Sequence, residues 1–224
     1  MLSGPLNPSQ AAGSLAVALG ANLGDPLATL LAVRPLLAEL LLGWWKAPQA
    51  AGPSAGLAWP RPRLRWSPLF RTAPVGGPAD QPPYLNAVVV VDGGPAQTPA
   101  DQPQLQGPPA RQPQAQELLQ SLLALERRFG RVRSERWGPR SLDLDLLWCG
   151  PDPLDRPGLS LPHPRLRERA FVLTPLAAID PALLVPGDAV VAAARVRALL
   201  EGLPPQALEP PPQRLRGLAG WPEA

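Results

Sequence analysis

The stretch Tyr84 to Asp92, YLNAVVVVD, sets four consecutive valines between turn-forming segments. A β-branched run bounded in this way predicts a central strand. Upstream of it, LAVAL at Leu15 to Leu19 reads as a short buried strand. GANLGDP then turns into a helix from about Leu27 to Leu42, with Asp25 and Pro26 as cap and first-turn residue. A second strand is expected from about Arg63 to Arg71, its alternation interrupted at Leu64, Trp66 and Pro68. Downstream, Leu118, Leu119, Leu122, Leu123 and Leu125 give an apolar face to a helix from about Gln114 to Phe129. Gly130 closes that helix, and Asp143 to Cys149 forms the last strand.

The resulting order, βαββαβ, predicts an α+β fold with a ferredoxin-like core. Its sheet is mainly antiparallel and carries helices on its faces, unlike a doubly wound parallel sheet. Beyond the core, LPHPRLRERAFVLTPLAAIDP reads as a turn and two short helices, and a further helix is expected from Val190 to Leu203. Residues 14–203 form one domain on this reading, and 204–224 a proline-rich irregular tail. Two segments, about 47–62 and 93–113, are rich in Pro, Gly, Ala and Gln and lack the large apolar residues of a core. They read as inserted surface loops, with Trp44, Trp45 and Trp59 beside the first packing onto the domain.

A length of 224 residues suffices for one sizeable core. The net charge is +3, and Lys46 is the only lysine, so the positive charge is almost all arginine. Arginines gathered near one motif, with no basic stripe, argue against a duplex-binding surface and favour a small polyanion such as a nucleotide. The charge alone remains compatible with a single-stranded nucleic acid. One cysteine, Cys149, allows neither an intrachain disulfide nor a cysteine metal cage. The apolar stretch Leu15 to Leu23 has no basic residue before it and is too short to span a bilayer. A soluble cytoplasmic protein without membrane contact is expected.

The chemistry concentrates in Gly130 to Gly150, GRVRSERWGPRSLDLDLLWCG. Arg131, Arg133, Arg136 and Arg140 offer guanidinium groups suited to phosphate. Asp143 and Asp145 offer the hard oxygens that magnesium prefers. In a strand, residues two apart share a face, and two steps separate their roots by about 6.6 Å. From there two carboxylates can converge on a pair of metal ions. A bare DLDL is equally an antiparallel strand with one wet face. The arginines and the WGP turn beside it favour the functional reading.

The motifs VALGANLGDP, FRTAPVGGPADQPPYLNA, LERRFGRVRSERWGPRSLDLDLL and LPHPRLRERAFVL, in this order and spacing, resemble the 6-hydroxymethyl-7,8-dihydropterin pyrophosphokinases of folate biosynthesis. The similarity spans most of Leu15 to Pro181 outside the insertions. It implies transfer of pyrophosphate from ATP to the hydroxymethyl oxygen of the pterin, with release of AMP, two Mg2+ ions per site and a monomeric enzyme. Ala21 and Pro164 depart from residues common in relatives, serine and tyrosine respectively.

Carried over by position, the resemblance makes Asp143 and Asp145 the metal ligands, catalytic together with Arg131 and Arg140. Glu126, Arg131, Arg133, Arg136, Trp137, Arg140, His163 and Arg169 become contacts of ATP. Thr72, Pro74, Val75, Tyr84, Asn86 and Phe171 become the pterin pocket, Tyr84 and Phe171 as the stacking rings and Asn86 as the reader of the pterin edge. Plainer alternatives stand beside several of these. Glu126 can be a solvated helix residue, Trp137 a packing residue, and Tyr84 and Phe171 members of the core. Two other classes compete: a metal-dependent nuclease or nucleotidyl transferase, which would want a third carboxylate, and an RNA-binding sheet, which would want more exposed aromatics.

Overall fold

The structure is a computed structural model, and it describes residues 14–46, 62–78, 80–92, 112–131, 138–187 and 193–222. The proposed insertions fall almost wholly outside these residues, as do Arg133, Arg136 and Trp137.

The sequence folds as β1 (Leu15–Ala21), α1 (Pro26–Lys46), β2 (Arg63–Trp66), β3 (Phe70–Thr72), β4 (Tyr84–Asp92), α2 (Gln112–Arg128) and β5 (Asp143–Cys149). After β5 come β6 (Leu154–Arg156), β7 (Leu159–Leu161), α3 (Ala170–Ile179), β8 (Leu184–Val185), β9 (Ala194–Arg195), α4 (Val196–Glu201) and β10 (Gln213–Arg214). The main sheet runs β10-β3-β4-β1-β5, with β2 also paired to β4 and every pairing antiparallel. The valine run is thus an interior strand, buried from Leu85 to Val91.

Strand alternation sorts the apolar residues into two cores. On one face Leu15, Val17, Leu19, Val89, Val91, Leu144 and Leu146 pack under α1 and α2. On the other, Ala16, Val88, Val90, Leu147 and Trp148 pack under α3 and α4. The sheet is therefore sandwiched between two helical layers.

Several elements depart from the expected bounds for physical reasons. The single strand expected over 63–71 is broken, because Pro68 has no N–H to give the ladder. Ser67 bridges the break: its N–H donates to the Val88 carbonyl at 2.9 Å, and its Oγ accepts from the Val88 N–H at 2.9 Å. Helix α1 continues past Leu42 through both tryptophans, with Trp45 buried and Trp44 Nε1 donating to the Gln114 carbonyl at 3.1 Å. The helix expected over 190–203 is shorter, since Ala194 and Arg195 pair with Val185 and Leu184 before α4 begins.

The C-terminal segment is more ordered than its proline content suggests. Gln213 and Arg214 pair with Arg71 and Phe70, and Leu215 N–H donates to the Leu69 carbonyl at 2.8 Å. Trp221 is buried edge-on to Trp66 at 5.8 Å, and its Nε1 donates to the Ser67 carbonyl at 2.9 Å. The guanidinium of Arg34 lies 5.9 Å from both rings, a cation–π arrangement. The tail clasps the edge of the sheet.

Candidate active site

The α3 face of the sheet is left open at one end, and the residues that line the opening follow from register. Gly20 of β1 stands between Asn86 of β4 and Asp143 of β5, while Ala18 stands between Val88 and Asp145. Asp143 and Asp145 share a face, as their spacing predicts. Across β4, Thr72 pairs with Tyr84. A cavity of about 300 Å³ opens over this floor, bounded by the Thr72–Gly76 loop, Arg131, Arg140, Arg165, Arg169 and Phe171.

Helix α2 delivers the first arginine. Gly130 takes φ +76° and donates to the Arg127 carbonyl at 3.0 Å, while Arg131 N–H reaches back to the Glu126 carbonyl at 3.1 Å. This is a Schellman closure, which favours glycine at the left-handed position. It brings Arg131 Nη1 to 2.7 Å from Asp143 Oδ1. Arg140 pairs with Asp143 from the other side, and Arg169, at the start of α3, donates to Asp145 Oδ2 at 2.8 Å. Arg169 also lies 5.4 Å from the Phe171 ring centre. Three arginines therefore share two carboxylates.

Burial and mutual repulsion of the acids work against their arginine partners. Burial, followed by the neighbouring charge of Asp145, raises the pKa of Asp143, against the pull of Arg131 and Arg140. Asp143 Oδ1 has the Arg131 Nη1 ion pair at 2.7 Å, while the buried Arg131 Nε makes no hydrogen bond. An unsatisfied buried group in a native fold calls for an explanation, and here it is a donor suited to an anion. Among the described residues no group of three or more His, Cys, Asp and Glu side chains forms a metal cage. Two carboxylates without a cage suit magnesium, which keeps waters and substrate phosphates in its shell.

His163 is fixed in one tautomer. Its Nδ1 accepts from the Arg165 N–H at 3.1 Å, so the proton of the neutral ring lies on Nε2, 4.0 Å from Asp145 Oδ2. Burial lowers its pKa, outweighing the opposing charge of Asp145. The imidazole is thus a neutral donor beside the acids.

On the opposite wall, Asn86 is buried and its Nδ2 donates to Thr72 Oγ1 at 2.7 Å, which fixes the amide and leaves Oδ1 facing Gly20. Tyr84 and Phe171 line the same cavity while also packing at its edge, and Tyr84 Oη donates to the Gly138 carbonyl at 3.2 Å. Val75 stands 62% exposed at the rim.

Eleven of the residues singled out by sequence thus meet at one cavity: Thr72, Pro74, Val75, Tyr84, Asn86, Arg131, Arg140, Asp143, Asp145, Arg169 and Phe171. His163 adjoins it through Asp145. Glu126 stands elsewhere. It is 2% exposed, and its Oε1 accepts from the Leu144 N–H at 2.8 Å and from Arg131. It is neither a solvated helix residue nor part of the cavity wall, but a buried tie between α2, β5 and Arg131. Sequence reading missed Ala18, Gly20 and Arg165. The available signals were the alternation of small residues in AVALGAN and the arginine that follows LPHP.

Residues 109–181 match the family model for 7,8-dihydro-6-hydroxymethylpterin-pyrophosphokinase. Three bacterial proteins named 2-amino-4-hydroxy-6-hydroxymethyldihydropteridine pyrophosphokinase are similar to this chain. That of Synechocystis is 37% identical over 174 residues, 78% of this chain and 69% of the relative. The Pseudomonas aeruginosa protein is 44% identical over 120 residues, 54% and 62% of the two chains. The Methylorubrum extorquens protein is 38% identical over 140 residues, 62% and 73% of the two chains. With the acids, arginines and flat-walled pocket on one sheet face, and relatives of this identity and coverage, the chain belongs to the 7,8-dihydro-6-hydroxymethylpterin-pyrophosphokinase family.

Proposed function

We infer that this chain transfers the pyrophosphoryl group of ATP to the hydroxymethyl oxygen of 6-hydroxymethyl-7,8-dihydropterin, giving AMP and the pterin diphosphate in folate biosynthesis. One observation carries the reading: an acid-and-arginine half and a ring-and-amide half face each other across a single cavity.

Each half suits its substrate. The polyphosphate is held by Arg131, Arg140 and Arg169 and by the Nε2–H of His163, with Arg133, Arg136 and Trp137 as further ATP contacts. Asp143 and Asp145 would hold two Mg2+ ions, which would supply charge neutralisation and alignment for in-line displacement. The guanidinium groups of Arg131, Arg140 and Arg169 converge on the acids at the cavity wall, within reach of phosphate oxygens bound there. The pterin stacks between Tyr84 and Phe171, its amide-like edge read by Asn86 and its rim closed by Thr72, Pro74 and Val75. Glu126 acts on the nucleotide only through Arg131. Positioning and charge neutralisation suffice for such a displacement, without a covalent intermediate.

We place the enzyme in the cytoplasm as a monomer, binding neither nucleic acid nor membrane. Helix α1 is long and apolar enough to cross a bilayer. Its Leu30, Val33, Leu37 and Leu41 are instead fully buried against the sheet.

Incubation with ATP, Mg2+ and the hydroxymethyl-dihydropterin tests the reading. AMP should form in step with pterin diphosphate. ADP or inorganic phosphate in place of AMP, or no turnover by folded protein, overturns it.

A further inference from the structure

We propose that Asn22 is a positioning residue that locks the nucleotide half of the site to the pterin half through a single side-chain amide. The proposal rests on the two-substrate reading given above.

Asn22 follows β1 directly and is 2% exposed. It stands behind the cavity wall, and its side chain reaches two segments that bear the two halves. Its Oδ1 accepts from the Arg140 N–H at 2.7 Å, and its Nδ2 donates to the Pro82 carbonyl at 3.0 Å. The backbone adds to the first arm: the N–H groups of Asn22 and Leu23 both donate to the Arg140 carbonyl, at 3.0 and 3.1 Å. Both backbone polar groups of Arg140 are therefore satisfied by the turn after β1.

The consequence is geometric. Arg140 is held at its root while its guanidinium reaches Asp143. Pro82 lies two residues before Tyr84, so the second arm fixes where β4 enters the pterin wall. Tyr84 makes a parallel link by donating to the Gly138 carbonyl. The exit of the arginine loop is thus tied twice to the opposite wall. A displacement of Arg140 by bound phosphate is transmitted to the Pro82 segment through one planar group.

The chemistry of the side chain explains its identity. A primary amide offers an acceptor and a donor from one rigid plane. Aspartate has the same shape and keeps the acceptor for Arg140, but it has no donor for Pro82. Alanine loses both arms. The two substitutions therefore separate anchoring from coupling.

The test measures dissociation constants for a nonhydrolysable ATP analogue with Mg2+ and for 6-hydroxymethylpterin, each alone and with the other at saturation. Linkage makes the coupling reciprocal, and in the wild-type chain each ligand should tighten the other about fivefold or more. In Asn22→Asp the coupling factor should fall to about half its wild-type value or less, the Tyr84–Gly138 link carrying the remainder, with affinity for the analogue alone within about twofold of wild type. In Asn22→Ala coupling should fall to the same extent and affinity for the analogue should drop about tenfold, as for loss of one buried hydrogen bond. Undiminished coupling in Asn22→Asp, or wild-type binding of both ligands without coupling, overturns the proposal.

If the variants do not fold, amide exchange in the wild-type chain decides. The Arg140 amide proton lies on Asn22 Oδ1, so the pterin alone should slow its exchange about tenfold. Unchanged exchange overturns the proposal. A wild-type chain that binds neither ligand refutes the two-substrate reading itself, an outcome distinct from binding without coupling.

Discussion

Replacing Glu126 by alanine should cost the fold about 3 to 4 kcal/mol, and replacing it by glutamine no more than about 1 kcal/mol. The alanine variant strands the Leu144 N–H, which now donates to Glu126 Oε1 at 2.8 Å in a 2% exposed environment. An orphaned buried donor costs about 1 to 3 kcal/mol. Truncation also leaves a void, worth about 1 kcal/mol for the one methylene lost. Arg131 adds less than a fully stripped ion pair would, because it keeps Asp143 at 2.7 Å. Glutamine preserves shape and a carbonyl acceptor for both Leu144 and Arg131, and removes only the charge.

That charge is a net burden on the fold. Burial raises the pKa of Glu126, although the Leu144 N–H and Arg131 both favour the ionised form. A carboxyl whose folded pKa lies above its unfolded value stabilises most below the unfolded value, near 4.5, and loses that contribution as pH rises through the folded pKa. Wild type should therefore lose stability relative to Glu126→Gln as pH rises from about 4.5 towards neutrality. Urea unfolding followed by tryptophan fluorescence at a series of pH values measures both effects. Equal costs for the two variants, or a wild-type-to-glutamine gap that does not change with pH, would refute the burial argument.

Asp143→Ala and Asp145→Ala should each slow AMP formation about a thousandfold or more, the loss expected when a metal clamp worth several kcal/mol is removed. ATP affinity should fall far less, because the arginines released from the acids still attract phosphate; retained turnover in either variant contradicts the metal assignment. In Gly20→Ala the new Cβ would lie 2.7 Å from Asn86 Oδ1. The amide must then leave Thr72, and the pterin KM should rise about tenfold, as for a lost directed hydrogen bond, with a smaller change for ATP; an unchanged pterin KM counts against Asn86 as the edge reader. Burial lowers the folded pKa of His163, so its contribution to stability is present above the unfolded value of 6.5 and is lost as pH falls through the folded one. The midpoint of thermal unfolding should fall less steeply with acidification in His163→Gln than in wild type, and parallel slopes would show that His163 protonates without cost.

Elements written by local pattern were legible in the sequence. The valines of β4, the leucine face of α2, its closure at Gly130 and the alternation of β5 each depend on neighbours within a few residues. What depends on distant partners was not. The break between β2 and β3 is stabilised by Ser67 meeting Val88, and the tail is ordered by Trp221 meeting Ser67 across 154 positions. A strand of two residues, as in β10, is too short to show a period. The site divides in the same way. Its charged residues announce their chemistry by type, and most lie in one run. Ala18, Gly20 and Asn22 carry no charge, and their roles depend on what stands opposite them. Glu126 was visible as a carboxylate, but its burial behind β5 was not.

The small residues of β1 explain why the acids sit where they do. One face of β1 presents Leu15, Val17, Leu19 and Ala21 to the core under α1 and α2, and large side chains there exclude water. The other face presents Ala16, then Ala18, then Gly20, shrinking towards the open end of the sheet. Asp145 and Asp143 stand opposite the last two, so the acids gain room where the floor is lowest. A register shift then ends the pattern: Val17 pairs with Leu146 and Ala16 with Trp148, leaving Leu147 as the extra residue. A bulge of this kind places two successive side chains towards one face. Leu147 and Trp148 accordingly both enter the core under α3, with Trp148 Nε1 satisfied by Ser14 Oγ at 3.0 Å. Strand β5 thus passes from a polar site to a dry core within three residues. The large side chains that begin at Leu147 anchor the strand against α3, and so hold the two carboxylates at the height where Arg131, Arg140 and Arg169 meet them.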